Sequence, residues 1–226
     1  MNLFYSKLSN NKAAFTLAEV LITLVIIGVI AALTIPTAIN NTKEQELKSQ
    51  FAKAYSTIVQ AQYKTVMNDF GGYVKCYDAM ENLGTGSSTS YSAECSSFIQ
   101  SLEKNLQVQK ICRGNSKSDG CVPEYPEFTA AYYCSGATFN SLNNSNYAYV
   151  LASGQIISLS VSDSSFLMDI NGHKGPNAYG KDLFAFSFAR GSHGAYFVHP
   201  ADCTITPVKG GRKTEQMMRY ALAGKK

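Results

Sequence analysis

Residues 15–35 read FTLAEVLITLVIIGVIAALTI, twenty-one residues carrying a single charge, Glu19. As a helix this run is about 31 Å long, which matches the hydrocarbon core of a bilayer. Lys7 and Lys12 precede it without an acidic residue. The short N-terminus is therefore expected in the cytoplasm, with the remainder of the chain facing outward. A cleaved secretory signal has an apolar stretch of about 7–15 residues ending at a small-x-small site. Here the stretch is longer, contains Glu19 and runs into Pro36-Thr37-Ala38-Ile39. A plain anchor explains the length but not the acid, because a charge inside a span costs at least about 2 to 3 kcal/mol and needs a partner or a function. The bland alternative is an acid near the helix start that snorkels to the headgroups and is favoured by the helix dipole.

Lys12-Ala13-Ala14-Phe15-Thr16-Leu17-Ala18-Glu19, followed by the apolar run, resembles the N-terminus of type IV prepilins and type II secretion pseudopilins. The resemblance is specific over roughly residues 7–40. It implies cleavage between Ala14 and Phe15 by a prepilin peptidase on the cytoplasmic side, then N-methylation of Phe15. Ala14 stands where the family usually has Gly, and Pro36 falls where many members have a helix-bending proline. In the family the acid at the position of Glu19 attracts the terminal amine of an adjacent subunit during assembly. A buried ammonium–carboxylate pair costs on the order of 3 to 5 kcal/mol to break from one side, so Glu19→Ala is expected to hurt assembly more than folding.

Beyond the apolar run, residues 37–70 contain neither Gly nor Pro. Leu47, Phe51, Ala54, Tyr55, Ile58, Val59, Val66 and Phe70 recur at three- and four-residue spacing, the stripe of an amphipathic helix that must be buried against a partner surface. Gly71-Gly72 is a stop signal. A helix over 15–70 is about 84 Å long, with Pro36 as a bend. Residues 84–92 read as a polar loop, and Phe98, Ile99, Leu102 and Leu106 as a short second helix to about Gln107. Strands are expected at 147–152 and 156–161 around Ser153-Gly154-Gln155, where Ile157, Leu159 and Val161 alternate with Ser158 and Ser160 to give one dry face. Phe184, Phe186 and Phe188 alternate again, and 196–198 makes a fourth strand. The expected fold is α+β and pilin-like: a long N-terminal helix, membrane-spanning in its first half, packed on a C-terminal antiparallel sheet. The divisions are a basic leader at 1–14, a transmembrane and assembly helix at 15–35, its amphipathic continuation at 36–72, a globular domain at 73–208 and a mobile basic tail at 209–226.

All six cysteines, Cys76, Cys95, Cys112, Cys121, Cys134 and Cys203, fall on the outer side of the span, and an even number in an exported domain suggests disulfides. Fifteen pairings exist on paper. The local choice is Cys112 with Cys121, Cys134 with Cys203 and Cys76 with Cys95. Zinc is set aside for want of a C-x-x-C knuckle. The run DINGHKGPNAYGKDLF at 169–184 looks like a loop seen in some pilin-like proteins. Some pseudopilins bind calcium in a C-terminal loop, and Asp169, Asn171 and Asp182 offer hard oxygens. EF-hand spacing is absent, so a glycine-rich turn held by Asx side chains is the expected reading, with calcium the alternative.

No G-x-S-x-G, Walker loop or H-E-x-x-H motif occurs, which leaves no positive reason to expect an enzyme or a cofactor. The hydrophobic share of 45% excludes wholesale disorder. The charge of +4, from 20 Lys+Arg against 16 Asp+Glu, is too dispersed to make nucleic acid an expected partner. The resemblance implies an inner-membrane, single-pass subunit that meets an assembly platform and then copies of itself or sibling pilins, in a type IV pilus or a type II secretion pseudopilus. The rivals are a membrane-tethered binding module and a minor pilin for adhesion or DNA uptake through Lys209, Arg212, Lys213, Arg219, Lys225 and Lys226.

Overall fold

The computed structural model describes residues 15–74, 89–125, 147–159, 165–190, 196–201 and 206–223. The chain divides into two compact units, Met1–Glu44 and Gln45–Lys226. Helix α1 (Leu17–Lys64) continues through Pro36 and ends in a π-helical turn, Thr65–Asp69. Gly71 and Gly72 then take positive φ of 61° and 91°, the left-handed backbone that stops a helix and that glycine adopts without strain. Helix α2 (Thr89–Asn105) follows, then β1 (Val108–Cys112), β2 (Tyr147–Leu151), β3 (Ile156–Leu159), β4 (Ser165–Asp169), β5 (Leu183–Arg190), β6 (Tyr196–Pro200) and α3 (Thr214–Leu222).

Among the described residues the strands form one six-stranded antiparallel sheet in the order β1-β2-β3-β4-β5-β6, each pairing with its successor. The main core lies between this sheet and the helices of the outer unit. Phe51, Ala54 and Ile58 of α1 are buried with Ile157, Phe166, Phe184 and Phe186. The Phe51 ring meets Phe184 edge-on at 4.8 Å, a favoured aromatic geometry. The Tyr55 hydroxyl donates to the Val198 carbonyl at 3.0 Å and joins the helix to β6. A polar clamp fixes the far end of α1: the Asn105 side-chain amide donates to Thr65 Oγ1 and Asp69 Oδ2, both at 3.0 Å. The expected stripe is thus the buried face, and the α+β arrangement is the one observed.

Four expectations differ from the structure. Among the described residues the sheet has six strands rather than four, because 108–112 and 165–169 are also extended. One dry sheet face was expected, yet every residue of β3 is buried. A second core covers the other face, with Ala148, Ile156, Leu167, Leu183 and Ala185 beside Cys112, Cys121 and Tyr125, so Ser158 lies inside as well. Helix α2 begins at Thr89, inside the stretch read as a polar loop. The described part of the supposed mobile tail, up to residue 223, folds: Val208 N donates to Tyr179 O at 3.1 Å and Arg212 N to Gly180 O at 2.7 Å. Thr214 Oγ1 accepts from Ala185 N at 3.1 Å, and Met217 is fully buried. Gly180, with φ of 83°, permits this approach, since a Cβ there would lie 2.6 Å from Pro207 Cβ.

Candidate functional site

At the start of α1, Thr16 and Glu19 cap the helix reciprocally. Glu19 N donates to Thr16 Oγ1 at 3.2 Å, and Thr16 N donates to Glu19 Oε2 at 2.9 Å. The Thr16 hydroxyl also donates to Oε2 at 2.9 Å. This is a capping box, which satisfies backbone donors that every helix leaves orphaned at its first turn. The signal T-x-x-E was present at residues 16–19, and sequence reasoning missed it while seeking a partner for the charge. The bonds of the box involve only Thr16 and Glu19 and no residue before Phe15. Both bonds to the carboxylate fall on Oε2.

The rest of the first unit's helix suits an apolar solvent. Its large side chains are exposed on every side, for example Leu21 at 55%, Val25 at 65% and Leu33 at 73%. Thr23 and Thr34 return their hydroxyl protons to the carbonyls of Val20 and Ile30 at 2.9 Å. In lipid, where no water is available, such internal satisfaction is required. Among the described residues this is the one helix long and apolar enough to cross a membrane, with a mean hydropathy of 2.6 over its most apolar window.

Residues 9–35 match the prokaryotic N-terminal methylation motif. The chain carries the leader signature of type IV pilins and pseudopilins. Phe15, Glu19 and the apolar run lie within the matched residues, as does Ala14. Pro36 lies one residue beyond and is accommodated inside α1. Proteins with this signature are structural subunits rather than typical enzymes. Neither a curated protein nor a solved structure matches the chain.

The outer unit gathers the second set of singled-out residues, Asp169, Asn171 and Asp182, into one closed loop. Asp169 Oδ1 accepts from the backbone N–H of Asn171 at 3.1 Å and of Gly172 at 2.8 Å, an Asx turn. Its Oδ2 accepts from the Tyr125 hydroxyl at 3.0 Å. Asp182 Oδ1 accepts from Ala178 N at 2.7 Å, and Oδ2 from Asn177 N at 2.8 Å and the Asn171 side-chain amide at 3.3 Å. All four carboxylate oxygens therefore hold a protein donor, so a cation here would have to displace or share those donors. Burial, then the nearby Asp182 charge, pushes the Asp169 carboxyl up to about 7. Burial and the same carboxylates push the Tyr125 hydroxyl far upward. Gly172 is indispensable to the turn: a Cβ would sit 2.0 Å from the Gly154 carbonyl oxygen.

Of the proposed disulfides, Cys112–Cys121 is formed, closing the loop RGNSKSDG at the end of β1. Cys76, Cys134 and Cys203 lie outside the described residues, as does the side chain of Cys95. Among the described residues, no group of three or more His, Cys, Asp or Glu is placed to hold a metal ion.

Proposed function

We propose that this chain is a prepilin or pseudopilin, cut between Ala14 and Phe15, methylated at Phe15 and built into a helical filament through its N-terminal helices. The observation that carries the reading is the juxtaposition of the leader signature at 9–35 with a helix start where Glu19 caps its own backbone through Oε2. The other oxygen, Oε1, is the one assigned to the terminal amine of a neighbouring subunit. One carboxylate then serves two purposes, ordering the first turn before assembly and setting axial register during it. An apolar helix leaving lipid must exchange acyl chains for other apolar surfaces, and copies of the same helix supply them.

The remaining parts follow from this. The leader stays in the cytoplasm, the span lies in the inner membrane and the sheet unit faces outward. A prepilin peptidase and an assembly platform are the partners before the filament forms. The outer unit's loop at 169–182 serves as a structural turn held by its own donors.

Glu19→Gln tests the assignment, because an amide keeps the capping box but not the charge. Filament yield, measured by shearing and sedimentation from cells expressing the full chain with its assembly system, is expected to fall at least about tenfold, since a broken ammonium–carboxylate pair exceeds 1.4 kcal/mol. Cleavage should be retained. Wild-type yield from the Gln variant would remove Glu19 from assembly and leave it as a cap.

A further inference from the structure

The first turn of α1 is fastened in a way that also limits how far the helix reaches upstream. Phe15 and Thr16 precede the helix, whose residues begin at Leu17. The Thr16 carbonyl accepts the first helical bond, from Val20 N at 3.2 Å, so Thr16 is the N-cap. In a helix started further upstream, each amide donates to the carbonyl four residues before it. Glu19 N would then go to Phe15 O, and Thr16 N to Lys12 O. Both amides are diverted instead: Glu19 N donates to Thr16 Oγ1 at 3.2 Å, and Thr16 N to Glu19 Oε2 at 2.9 Å. The box therefore takes away two of the bonds by which α1 would grow backwards.

The sequence upstream favours such growth. Ala13 and Ala14 are the strongest helix formers by intrinsic propensity, Lys12 is close behind, and Asn10 and Asn11 are good N-cap residues. A start at Asn11 makes Lys12, Ala13 and Ala14 the first turn and places the Ala14–Phe15 bond inside the helix. Hydrolysis of that bond adds water at the Ala14 carbonyl carbon and breaks the C–N bond, leaving an Ala14 carboxylate and a Phe15 amine. Within a helix the same peptide unit is packed into a turn, and it must open locally before it is cut. Outside the helix no opening is needed, and Phe15 is 85% exposed.

We infer that Thr16 is a positioning residue for leader removal: its cap halts α1 just after the Ala14–Phe15 bond and keeps that bond out of the helix for the peptidase. This rests on the assignment of cleavage to that bond and goes beyond it by giving Thr16 a role before assembly, independent of the Glu19 charge. Thr16 acts through the conformation of the backbone around it rather than on the reacting atoms.

The test uses the full chain in detergent micelles with a prepilin peptidase, following release of residues 1–14 by mass spectrometry. Helicity at Ala13 and Ala14 is read from their carbon chemical shifts. Thr16→Ala loses the cap and gains helix propensity, so kcat/KM is expected to fall about threefold to tenfold while both alanines move towards helical shifts. Thr16→Asn, which caps through a different atom, should be cut within about twofold of wild type. Ala13→Gly weakens an upstream helix and leaves both residues of the scissile bond in place. It should restore cutting to the Thr16→Ala chain and change little in the wild-type background. Thr16→Ala cut at the wild-type rate overturns the inference. So does slow cutting of Thr16→Asn, which would mean that the enzyme reads the threonine side chain itself. Failure of Ala13→Gly to restore the double variant overturns it too. A wild-type chain left uncut at Ala14/Phe15 by a peptidase active on another prepilin overturns the processing assignment and, with it, this inference.

Discussion

The two halves of α1 are one helix written for two solvents. In the first, apolar side chains surround the axis, and Ile27 is 62% exposed. In the second, apolar residues keep to one stripe, and Phe51 and Ile58 are fully buried. Hydrophobicity alone does not distinguish them as folding elements; its angular distribution does. A striped helix has a protein partner within its own chain. A helix apolar all round needs an apolar partner outside its own chain, such as lipid or other helices. The polar groups follow the same division. Thr23 and Thr34 turn inward to their own backbone, whereas Tyr55 reaches across to Val198.

The largest expected effect breaks this comparison at its buried side. Phe51→Ala removes a fully buried ring and is expected to destabilise the outer unit by about 3 to 5 kcal/mol, measured by urea unfolding of the full chain in mild detergent. Val25→Ala in the first half should leave that transition where it is. Equal shifts for the two variants would erase the distinction between the halves.

A pH titration of stability probes the closed loop. Asp169 titrates near 7 in the fold against an ordinary 3.8, so the folded state binds its proton more readily than the unfolded chain. Its contribution is therefore full below about pH 4, declines as pH rises toward about 7 and is flat above, an upper bound of about 4 kcal/mol. Asp169→Asn, neutral at every pH, should flatten that slope. If the variant keeps the slope, another group is responsible.

Breaking the disulfide is expected to cost somewhat less. With a sequence separation of 9, Cys112→Ser should lower stability by about 2 to 3 kcal/mol on the loop-entropy account, read from the urea midpoint without reductant. An unchanged midpoint would mean that the second core holds this loop unaided.

What the sequence revealed and what it hid follow from where the information resides. The apolar run, the stripe and the glycine stop are local patterns with strong periods, and α1 was legible from them almost to its end. Cys112 and Cys121 close a short polar loop, so their pairing was readable too. β4, Ser165–Asp169, was not, because Phe-Leu-Met lacks alternation; the strand is covered on both faces, and that depends on a second core assembled from distant segments. Helix α3 was hidden for a related reason. Nine residues are too few to be helical alone, and the Met217, Tyr220 and Ala221 spacing is masked by basic neighbours until Thr214 docks on Ala185. The capping role of Glu19 was legible in Thr16-x-x-Glu19 and was overshadowed by its charge.

The smallest expected stability effect is therefore at Glu19. Glu19→Gln should shift unfolding of the outer unit by less than about 0.5 kcal/mol, because the box is kept and lies far from that core along the chain. A larger shift would tie the first turn of α1 to the outer unit's stability.

The most direct measurement is the mature N-terminus of the full chain, by intact mass and N-terminal peptide analysis of the membrane fraction from cells that contain a prepilin peptidase. The expected result is a chain beginning at Phe15 with a methylated amine. A chain still beginning at Met1 would contradict the account and leave the helix as a simple tether.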